Sequence, residues 1–221
     1  MRGLTWEDVS GGVGLRVTVP VTMGPDEAAR ELAPRLSALA GERAPASSGE
    51  AGARPGVPVV TIDGYSGSGK STLAAALTRL VKGWQVLHLD DWYPGWDGLG
   101  AGVEQWVRLS ASLAEHTPGS YTPWDWEQNR PAPPVTVHPD AAPVIVCEGV
   151  GALCGAFNYG VLVQADTGVR YERAMARDGE TYRPYWNMWA AQEEQLFEDY
   201  GSYYTTSPGW PEGPNWVYRT G

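Results

Sequence analysis

Three glycines, a lysine and a serine stand at a spacing that suits phosphate binding. Gly64, Gly67, Gly69, Lys70 and Ser71 fit the pattern G-x-x-x-x-G-K-[ST] over residues 64–71. Glycines let the backbone turn with positive φ, so that successive N–H groups point inward at an anion. A lysine reaches phosphate oxygens, and a serine hydroxyl is a ligand for Mg²⁺. The pattern predicts a nucleotide-binding phosphate loop made of Gly64, Tyr65, Ser66, Gly67, Ser68, Gly69, Lys70 and Ser71, with Thr72 beside it.

Acidic residues end two later apolar segments. Asp90 and Asp91 follow residues 84–89, and Glu148 follows residues 142–147. The carboxyl ends of parallel strands meet at the sheet edge where ligands bind. A carboxylate at that edge can hold Mg²⁺ directly or through its water. Glu148 and Ser71 are therefore predicted metal ligands, and Asp91 either contributes through water or caps the next turn.

The elements that must position these groups alternate between strand and helix. A β-branched run over 57–63 precedes the phosphate loop, and an Ala/Leu-rich helix over 71–82 follows it. Continuously apolar strands fit a parallel sheet covered on both faces. The sequence thus predicts an α/β fold, with further strands over 84–89, 142–147 and 161–165 and further helices over 103–116, 169–177 and 184–200.

The run His88-Leu89-Asp90-Asp91-Trp92-Tyr93 resembles the uridine kinase-like family of P-loop kinases, whose second strand ends in an Asp followed by a polar residue and two aromatics. Glu148-Gly149 is similar to a Glu-Gly pair of that family. The resemblance spans about residues 57–200. It implies a central parallel sheet of about five strands, with residues 57–63 in the middle and helices on both faces. It also implies that Asp90 accepts the proton of the acceptor hydroxyl and that Tyr93 belongs to the substrate site.

A polar-aromatic segment between the second and third strands is the expected acceptor site. Residues 121–130 begin and end near prolines, which indicates a loop. The family has a comparable segment, and the resemblance covers Trp124, Asp125, Trp126 and Arg130, whereas the usual His is missing. Tryptophan rings stack on flat bases, and Asp and Arg hold ring hydroxyls. Packing of both tryptophans in the core is an equal alternative.

Arginines at helical spacing follow the fourth strand. Arg170, Arg173 and Arg177 fall on one helix face, and Arg183 follows them. The run resembles the lid of the same family, in which arginines close over the triphosphate, and guanidinium groups suit phosphate oxygens. Arg173 and Arg177 are the predicted lid residues. For Arg170 a solvated position is the alternative of at least equal weight.

The composition of the chain argues against nucleic-acid and membrane partners. The 221 residues carry 16 basic and 26 acidic side chains, for a net charge of −10, and no apolar run approaches the roughly 20 residues of a membrane span. The N-terminus lacks the pattern of a secretory signal. We therefore expect a cytoplasmic protein without nucleic-acid or membrane partners, in which Cys147 and Cys154 are reduced thiols.

The first 56 residues lie outside the resemblance. Residues 14–23 alternate like a strand, residues 25–39 place apolar side chains at helical spacing, and residues 41–56 lack large apolar side chains. We expect a strand-helix element over 1–40, a flexible linker over 41–56 and the kinase domain over 57–221, in which 216–218 adds an edge strand. The leucine stripe needs a partner surface on its own domain or on another subunit, so a homo-oligomer is one expectation.

These features predict ATP- and Mg²⁺-dependent phosphorylation of a hydroxyl on a small, nucleoside-like acceptor. Guanine-specific GTPases are disfavoured because their Asn-Lys-x-Asp element needs a lysine, and Lys70 and Lys82 are the only ones in the sequence. A vitamin precursor, a sugar or, less favourably, a nucleoside monophosphate is an alternative acceptor. The alternative from another class is a regulatory protein that binds ATP and transfers nothing.

Overall fold

The computed structural model describes residues 18–19, 23–41, 56–201 and 214–221, with the backbone alone at 18–19 and at 200–201. Its strands are β1 (Thr18–Val19), β2 (Val59–Asp63), β3 (Gln85–His88), β4 (Gly119–Tyr121), β5 (Trp124–Asp125), β6 (Arg130–Pro131), β7 (Val135–Val137), β8 (Ile145–Glu148), β9 (Tyr159–Gln164) and β10 (Trp216–Arg219). Its α-helices are α1 (Pro25–Gly41), α2 (Lys70–Leu80), α3 (Leu99–Ala114), α4 (Thr167–Asp178) and α5 (Trp186–Gly201).

Six strands form one fully parallel sheet in the order β1-β10-β9-β2-β8-β3. Among the five strands from β10 to β3, β2 is central, and all five of its residues are buried. The predicted α/β fold with a central parallel sheet is therefore confirmed. The addition of β1 makes β10 an interior strand, which corrects its prediction as an edge strand.

Helices cover both faces of the sheet, which explains why the strands are apolar without alternation. Val60 and Ile62 of β2 pack with α1 and α2 on one face. Val59 belongs to the opposite cluster, where α3, α4 and α5 lie. Within the described residues, no helix combines the length and the apolar character that crossing a membrane requires.

The segment after α3 is a β-hairpin, which corrects its prediction as a loop. Strand β4 pairs antiparallel with β7, and β5 pairs antiparallel with β6 nearer the tip. Asn129 adopts a φ of 49° at the tip, a conformation that Asn tolerates better than most residues. The hairpin therefore has a defined shape on which Trp124, Asp125, Trp126 and Arg130 are placed.

Helix α1 packs on the same core as the sheet. Ala28, Ala29, Leu32 and Leu36 have no exposed surface, and they join a cluster that includes Leu77 of α2. The leucine stripe is thus buried against the chain's own domain. Most of the predicted strand over 14–23 and the predicted linker over 41–56 lie outside the described residues, so the division of the chain at residue 56 stays a prediction.

Candidate active site

The phosphate loop lies between β2 and α2, as the motif requires. Gly64 and Gly67 have φ values of 144° and 78°, a region that favours glycine. A Cβ at Gly64 would stand 2.1 Å from the carbonyl oxygen of Val163, and one at Gly67 would stand 2.2 Å from that of Arg170. These two glycines are therefore needed for the turn and for the close approach of the strand and helix behind it.

A cavity of about 410 Å³, which we call the phosphate cavity, brings together residues from three parts of the chain. It is lined by residues of the phosphate loop and α2, by Asp90, and by residues of α4; they are Ser66, Gly67, Gly69, Lys70, Ser71, Thr72, Asp90, Arg173, Ala174 and Arg177. Gly64 and Tyr65 instead line a neighbouring cavity, and Ser68 is fully buried. Most of the predicted nucleotide-binding residues thus surround one cavity.

Lys70 begins α2 and is 7% exposed. Its ammonium group donates a hydrogen bond to the carbonyl oxygen of Tyr65 at 3.2 Å. Its positive charge lowers the pKa of Asp63, Asp90 and Glu193, although burial raises each of those pKa values more strongly. Lys70 therefore offsets part of the negative charge of three nearby carboxyl groups, and it also lines the phosphate cavity.

Asp90 lies on a short 3₁₀ helix (Leu89–Asp91) that directly follows β3, and it borders the phosphate cavity. Asp90 keeps solvent exposure at the mouth of the cavity, and partial loss of hydration beside the cavity wall raises the pKa of its carboxyl group. Glu148 raises this pKa further, whereas Lys70 and Arg177 lower it. A carboxylate with a raised pKa accepts a proton more readily, which suits a general base.

A chain of hydrogen bonds links α2 to β8 and β3. The Ser71 hydroxyl donates to Oε2 of Glu148 at 3.2 Å, and Oε1 of Glu148 lies 2.6 Å from Nδ1 of His88. Glu148 is 3% exposed. Its hydrogen bond with His88 raises the pKa of the imidazole. Sequence reasoning did not select His88, because its contact with Glu148 depends on the pairing of β3 with β8, which places the two residues in direct register.

The pair Ser71 and Glu148 fits a magnesium ion by the chemistry of its donors. Both are oxygen ligands, and Mg²⁺ at nucleotide sites takes one or two protein ligands together with phosphate oxygens and water. Loss of hydration raises the pKa of the Asp91 carboxyl group, and the charge of His88 lowers this pKa by a smaller amount. Asp91 is outside the lining of the phosphate cavity. No cluster of three or more His, Cys, Asp or Glu with metal-binding geometry occurs in the described part of the chain.

The predicted lid arginines have different surroundings. Arg173 donates to the Thr220 hydroxyl at 2.7 Å and to the carbonyl oxygen of Gly221 at 2.6 Å. Arg177 forms a two-pronged ion pair with Asp178, with contacts of 3.0 and 2.7 Å. Both residues line the phosphate cavity, and their closure over a triphosphate stays a prediction.

Two other arginines lie outside the phosphate cavity. Arg183 pairs with Glu180 at 2.9 Å on the surface. Arg170 is 7% exposed and donates to the carbonyl oxygen of Ser66 at 3.2 Å. The alternative of a solvated Arg170 is therefore wrong, because the residue packs behind the phosphate loop.

The hairpin tip reaches the residue proposed as the base. The indole N–H of Trp126 donates to the backbone oxygen of Asp90 at 3.0 Å, and the ring remains 39% exposed. Asp125 accepts the backbone N–H groups of Glu127 and Gln128 at 3.1 and 2.9 Å, so its carboxylate forms the turn. Trp124 is half-buried, and Arg130 is exposed on the paired strand.

Tyr93 has a role inside the core. It is 1% exposed, and its hydroxyl donates to the carbonyl oxygen of Val150 at 2.9 Å. Its ring meets Trp189 edge-on at 5.1 Å. Tyr93 thus lies outside the lining of the phosphate cavity, and its role in substrate binding stays a prediction.

An aromatic cluster beside Asp90 was not found from the sequence. The ring of Trp96 stacks on Tyr185 at 4.6 Å and on Tyr182 at 5.2 Å, and it contacts Trp126 at 5.0 Å. The tyrosines belong to the segment between α4 and α5, so the cluster joins that segment to the hairpin. Three distant parts of the chain meet here, and local sequence patterns carry no signal of such a meeting.

No family model and no curated protein matches the sequence. Among solved structures, a D-glycerate 3-kinase from Cryptococcus neoformans var. grubii is similar with a TM-score of 0.52 at 10% identity, over 87% of this chain and 95% of that one. A possible uridine kinase from Bacillus stearothermophilus has a TM-score of 0.43 at 20% identity, over 85% of this chain and 99% of that one. Together with the strand order, the likeness to the first confirms the predicted P-loop kinase fold.

Proposed function

We propose that this protein is a kinase that transfers the terminal phosphoryl group of ATP to a hydroxyl of a small acceptor. The observation that carries the proposal is the phosphate cavity, in which Lys70, Ser71 and two arginines share a wall with the carboxylate of Asp90. Cations and backbone N–H groups suit a triphosphate, whereas a carboxylate at the same wall suits an acceptor that loses a proton.

In the proposed reaction, Asp90 aligns the acceptor hydroxyl and takes its proton. The hydroxyl oxygen forms a bond to the γ-phosphorus, the bond between that phosphorus and the β,γ-bridging oxygen breaks, and the bond electrons leave with ADP. Lys70, Arg173 and Arg177 stabilise the negative charge on the transferred group. Mg²⁺, held by Ser71 and Glu148, would neutralise charge on the phosphate oxygens.

The hairpin and the aromatic cluster support a small acceptor with a flat or apolar part. Trp126 and Trp96 lie beside Asp90, and aromatic rings bind such groups through stacking. Trp124 and Arg130 remain proposed acceptor contacts on the same hairpin. A nucleoside-like molecule is the acceptor we favour, because its base suits the rings and its sugar provides the hydroxyl.

The experiment is a panel of acceptors, namely nucleosides, nucleoside monophosphates, sugars and vitamin precursors, assayed for ADP release with Mg·ATP. We expect ADP release to depend on a nucleoside and mass spectrometry to find one added phosphoryl group on it. The Lys70→Ala variant should abolish both signals. ATP binding by calorimetry with no acceptor-dependent release in any class would contradict the proposal and favour a regulatory protein.

A further inference from the structure

Two charged residues behind the phosphate loop have no part in the proposed reaction. Arg170 on α4 is 7% exposed, and Glu193 on α5 is 2% exposed. Burial of charge is costly unless the groups are paired and hydrogen-bonded. Their side chains approach to 3.8 Å, and each also contacts the phosphate loop, so the pair joins two helices to that loop.

Both contacts fall on the same residue of the loop. Oε1 of Glu193 accepts the backbone N–H of Ser66 at 2.6 Å, and Nη1 of Arg170 donates to the carbonyl oxygen of Ser66 at 3.2 Å. The N–H and the C=O of Ser66 are therefore held by opposite charges. The indole N–H of Trp189 donates to the same Oε1 at 3.2 Å, which fixes the carboxylate in turn.

Further contacts fix the arginine. Its guanidinium group lies 4.7 Å from the ring centre of Tyr65 and 5.7 Å from that of Trp186. Nη2 donates to the Thr167 hydroxyl at 3.2 Å. An arginine held by two rings, a hydroxyl and a carbonyl has little freedom to move, so it is suited to fixing a loop.

Arg170 and Glu193 contact the phosphate loop from outside the phosphate cavity. Arg170 and Glu193 line a separate cavity of about 490 Å³, whereas Ser66 also lines the phosphate cavity. Helix α4 carries Arg173 and Arg177 as well, and α5 directly follows the segment that stacks on Trp96. The Ser66 contacts thus connect the phosphate loop to the elements that bear the lid.

We propose that Arg170 and Glu193 are positioning residues that hold the phosphate loop at Ser66 in the shape that binds ATP. A loop with three glycines loses much conformational entropy when it is ordered, so contacts that order it in advance strengthen binding. The consequence for catalysis rests on the proposed function. The consequence for the loop itself holds whether or not a phosphoryl group is transferred.

The test compares Glu193→Ala with Glu194→Ala, a neighbouring and exposed glutamate on the same helix. Amide hydrogen exchange at Ser66, measured by NMR without nucleotide, should become at least about tenfold faster in Glu193→Ala, the equivalent of losing one charge-assisted hydrogen bond. Calorimetry should show at least about tenfold weaker Mg·ATP binding. The Glu194→Ala variant should match the wild type in both measurements.

The Glu193→Gln variant separates positioning from stability. A glutamine keeps the oxygen that accepts the Ser66 N–H, so exchange at Ser66 should stay within about threefold of the wild type. A lower melting temperature in Glu193→Ala with unchanged exchange and unchanged ATP binding would overturn the proposal. If Glu193→Ala does not fold, Glu193→Asp, whose shorter side chain withdraws the carboxylate from the Ser66 N–H, gives the same two readouts, and wild-type values for both would equally overturn the proposal.

The two proposals fail separately. Loss of Ser66 protection in Glu193→Ala, combined with no acceptor phosphorylated by the wild type, would support the positioning role and contradict the kinase function. Acceptor phosphorylation by the wild type, combined with unchanged Ser66 exchange in Glu193→Ala, would support the kinase function and contradict the positioning role.

Discussion

The carboxylate of Asp90 stands among charges of both signs, and their balance determines its chemistry. Lost hydration and Glu148 favour the protonated form, whereas Lys70 and Arg177 favour the charged form. The net result is a raised pKa, which brings the group closer to the range in which a base exchanges protons efficiently. The same cations that bind phosphate thus keep the base available.

The Asp90→Asn substitution should lower kcat by about 10²–10⁴-fold and leave Mg·ATP affinity nearly unchanged, because general-base losses fall in that range and no phosphate contact is removed. Steady-state kinetics and calorimetry measure the two effects. Asp97→Asn, at an exposed position in the following loop, is the matched control and should retain full activity. Full activity of Asp90→Asn would remove the base assignment.

Activity should fall at acid pH as Asp90 becomes protonated. A base must be deprotonated to act, so the raised pKa of Asp90 moves the acid limb of kcat/KM to a higher pH than an ordinary aspartate would give. The rate should then decrease about tenfold for each pH unit below that pKa. The residual rate of Asp90→Asn should lack this limb, and circular dichroism at each pH separates protonation from unfolding. An identical limb in both proteins would assign it to another group.

At the scale of elements, Asp63 ties the end of β2 to the turn after β8. Its Oδ1 accepts the N–H groups of Gly64 at 2.6 Å and Gly151 at 3.0 Å, and Oδ2 accepts that of Leu153 at 2.8 Å. The start of the phosphate loop and the segment following Glu148 therefore share one buried carboxylate. This arrangement places the phosphate loop and the proposed metal ligand in a fixed relation.

The Asp63→Asn substitution should lower the free energy of unfolding by about 1–3 kcal/mol, because the new amide group faces a backbone N–H donor that it cannot pair with. Urea unfolding followed by fluorescence measures the change. At the exposed Asp97, the same substitution should change the stability by less than about 0.5 kcal/mol. Equal stabilities for the two variants would show that the Asp63 hydrogen bonds do not hold the turn.

The hairpin should affect acceptor binding rather than ATP binding. Trp126→Phe keeps an aromatic ring and loses the N–H that bonds to the backbone oxygen of Asp90 at 3.0 Å. We expect a rise in the acceptor KM of about threefold to tenfold, the equivalent of one neutral hydrogen bond, and an unchanged KM for ATP. A change in the KM for ATP alone would place the hairpin tip at the nucleotide instead.

In the molecule as a whole, the N-terminal helix packs into the core of the same domain that carries the phosphate loop. Helix α1 buries four side chains completely, and the Tyr218 hydroxyl of β10 donates to the carbonyl oxygen of Met23 just before the helix. Removal of residues 1–55 would expose this side of α2 and the sheet. We expect residues 1–55 to be dispensable for the chemistry but not for stability, since α1 lies on the face opposite α4 and α5.

The Leu32→Ala substitution should lower the free energy of unfolding by about 2–5 kcal/mol through the cavity that it leaves, and kcat of the folded protein should stay within roughly threefold of the wild type. Leu80→Ala on α2, where the side chain is 48% exposed, is the matched control and should cost less than about 1 kcal/mol. Denaturant unfolding and steady-state kinetics check the two parts. Lost turnover in a folded, ATP-binding Leu32→Ala protein would place α1 in the acceptor site.

Features that depend on local spacing could be predicted before the fold was known. Gly64 to Ser71 specify the phosphate loop because positive φ values, a lysine and a hydroxyl must fall within eight consecutive residues. Continuous apolar runs specified buried parallel strands, since both of their faces must avoid water. Asp90 and Glu148 were predictable because they directly follow such strands, and parallel strands end at one edge of the sheet.

Features that depend on contacts between distant segments became visible in the folded chain. Glu193 lies in a helix that reads as core packing, yet it holds the backbone of Ser66, 127 residues earlier. Tyr93 and Asp125 match a binding pattern, but one hydroxyl is taken by Val150 and one carboxylate by its own turn. A sequence states which groups can form hydrogen bonds, whereas their partners are chosen by the packing of the whole chain, because each buried polar group must be paired wherever folding leaves it.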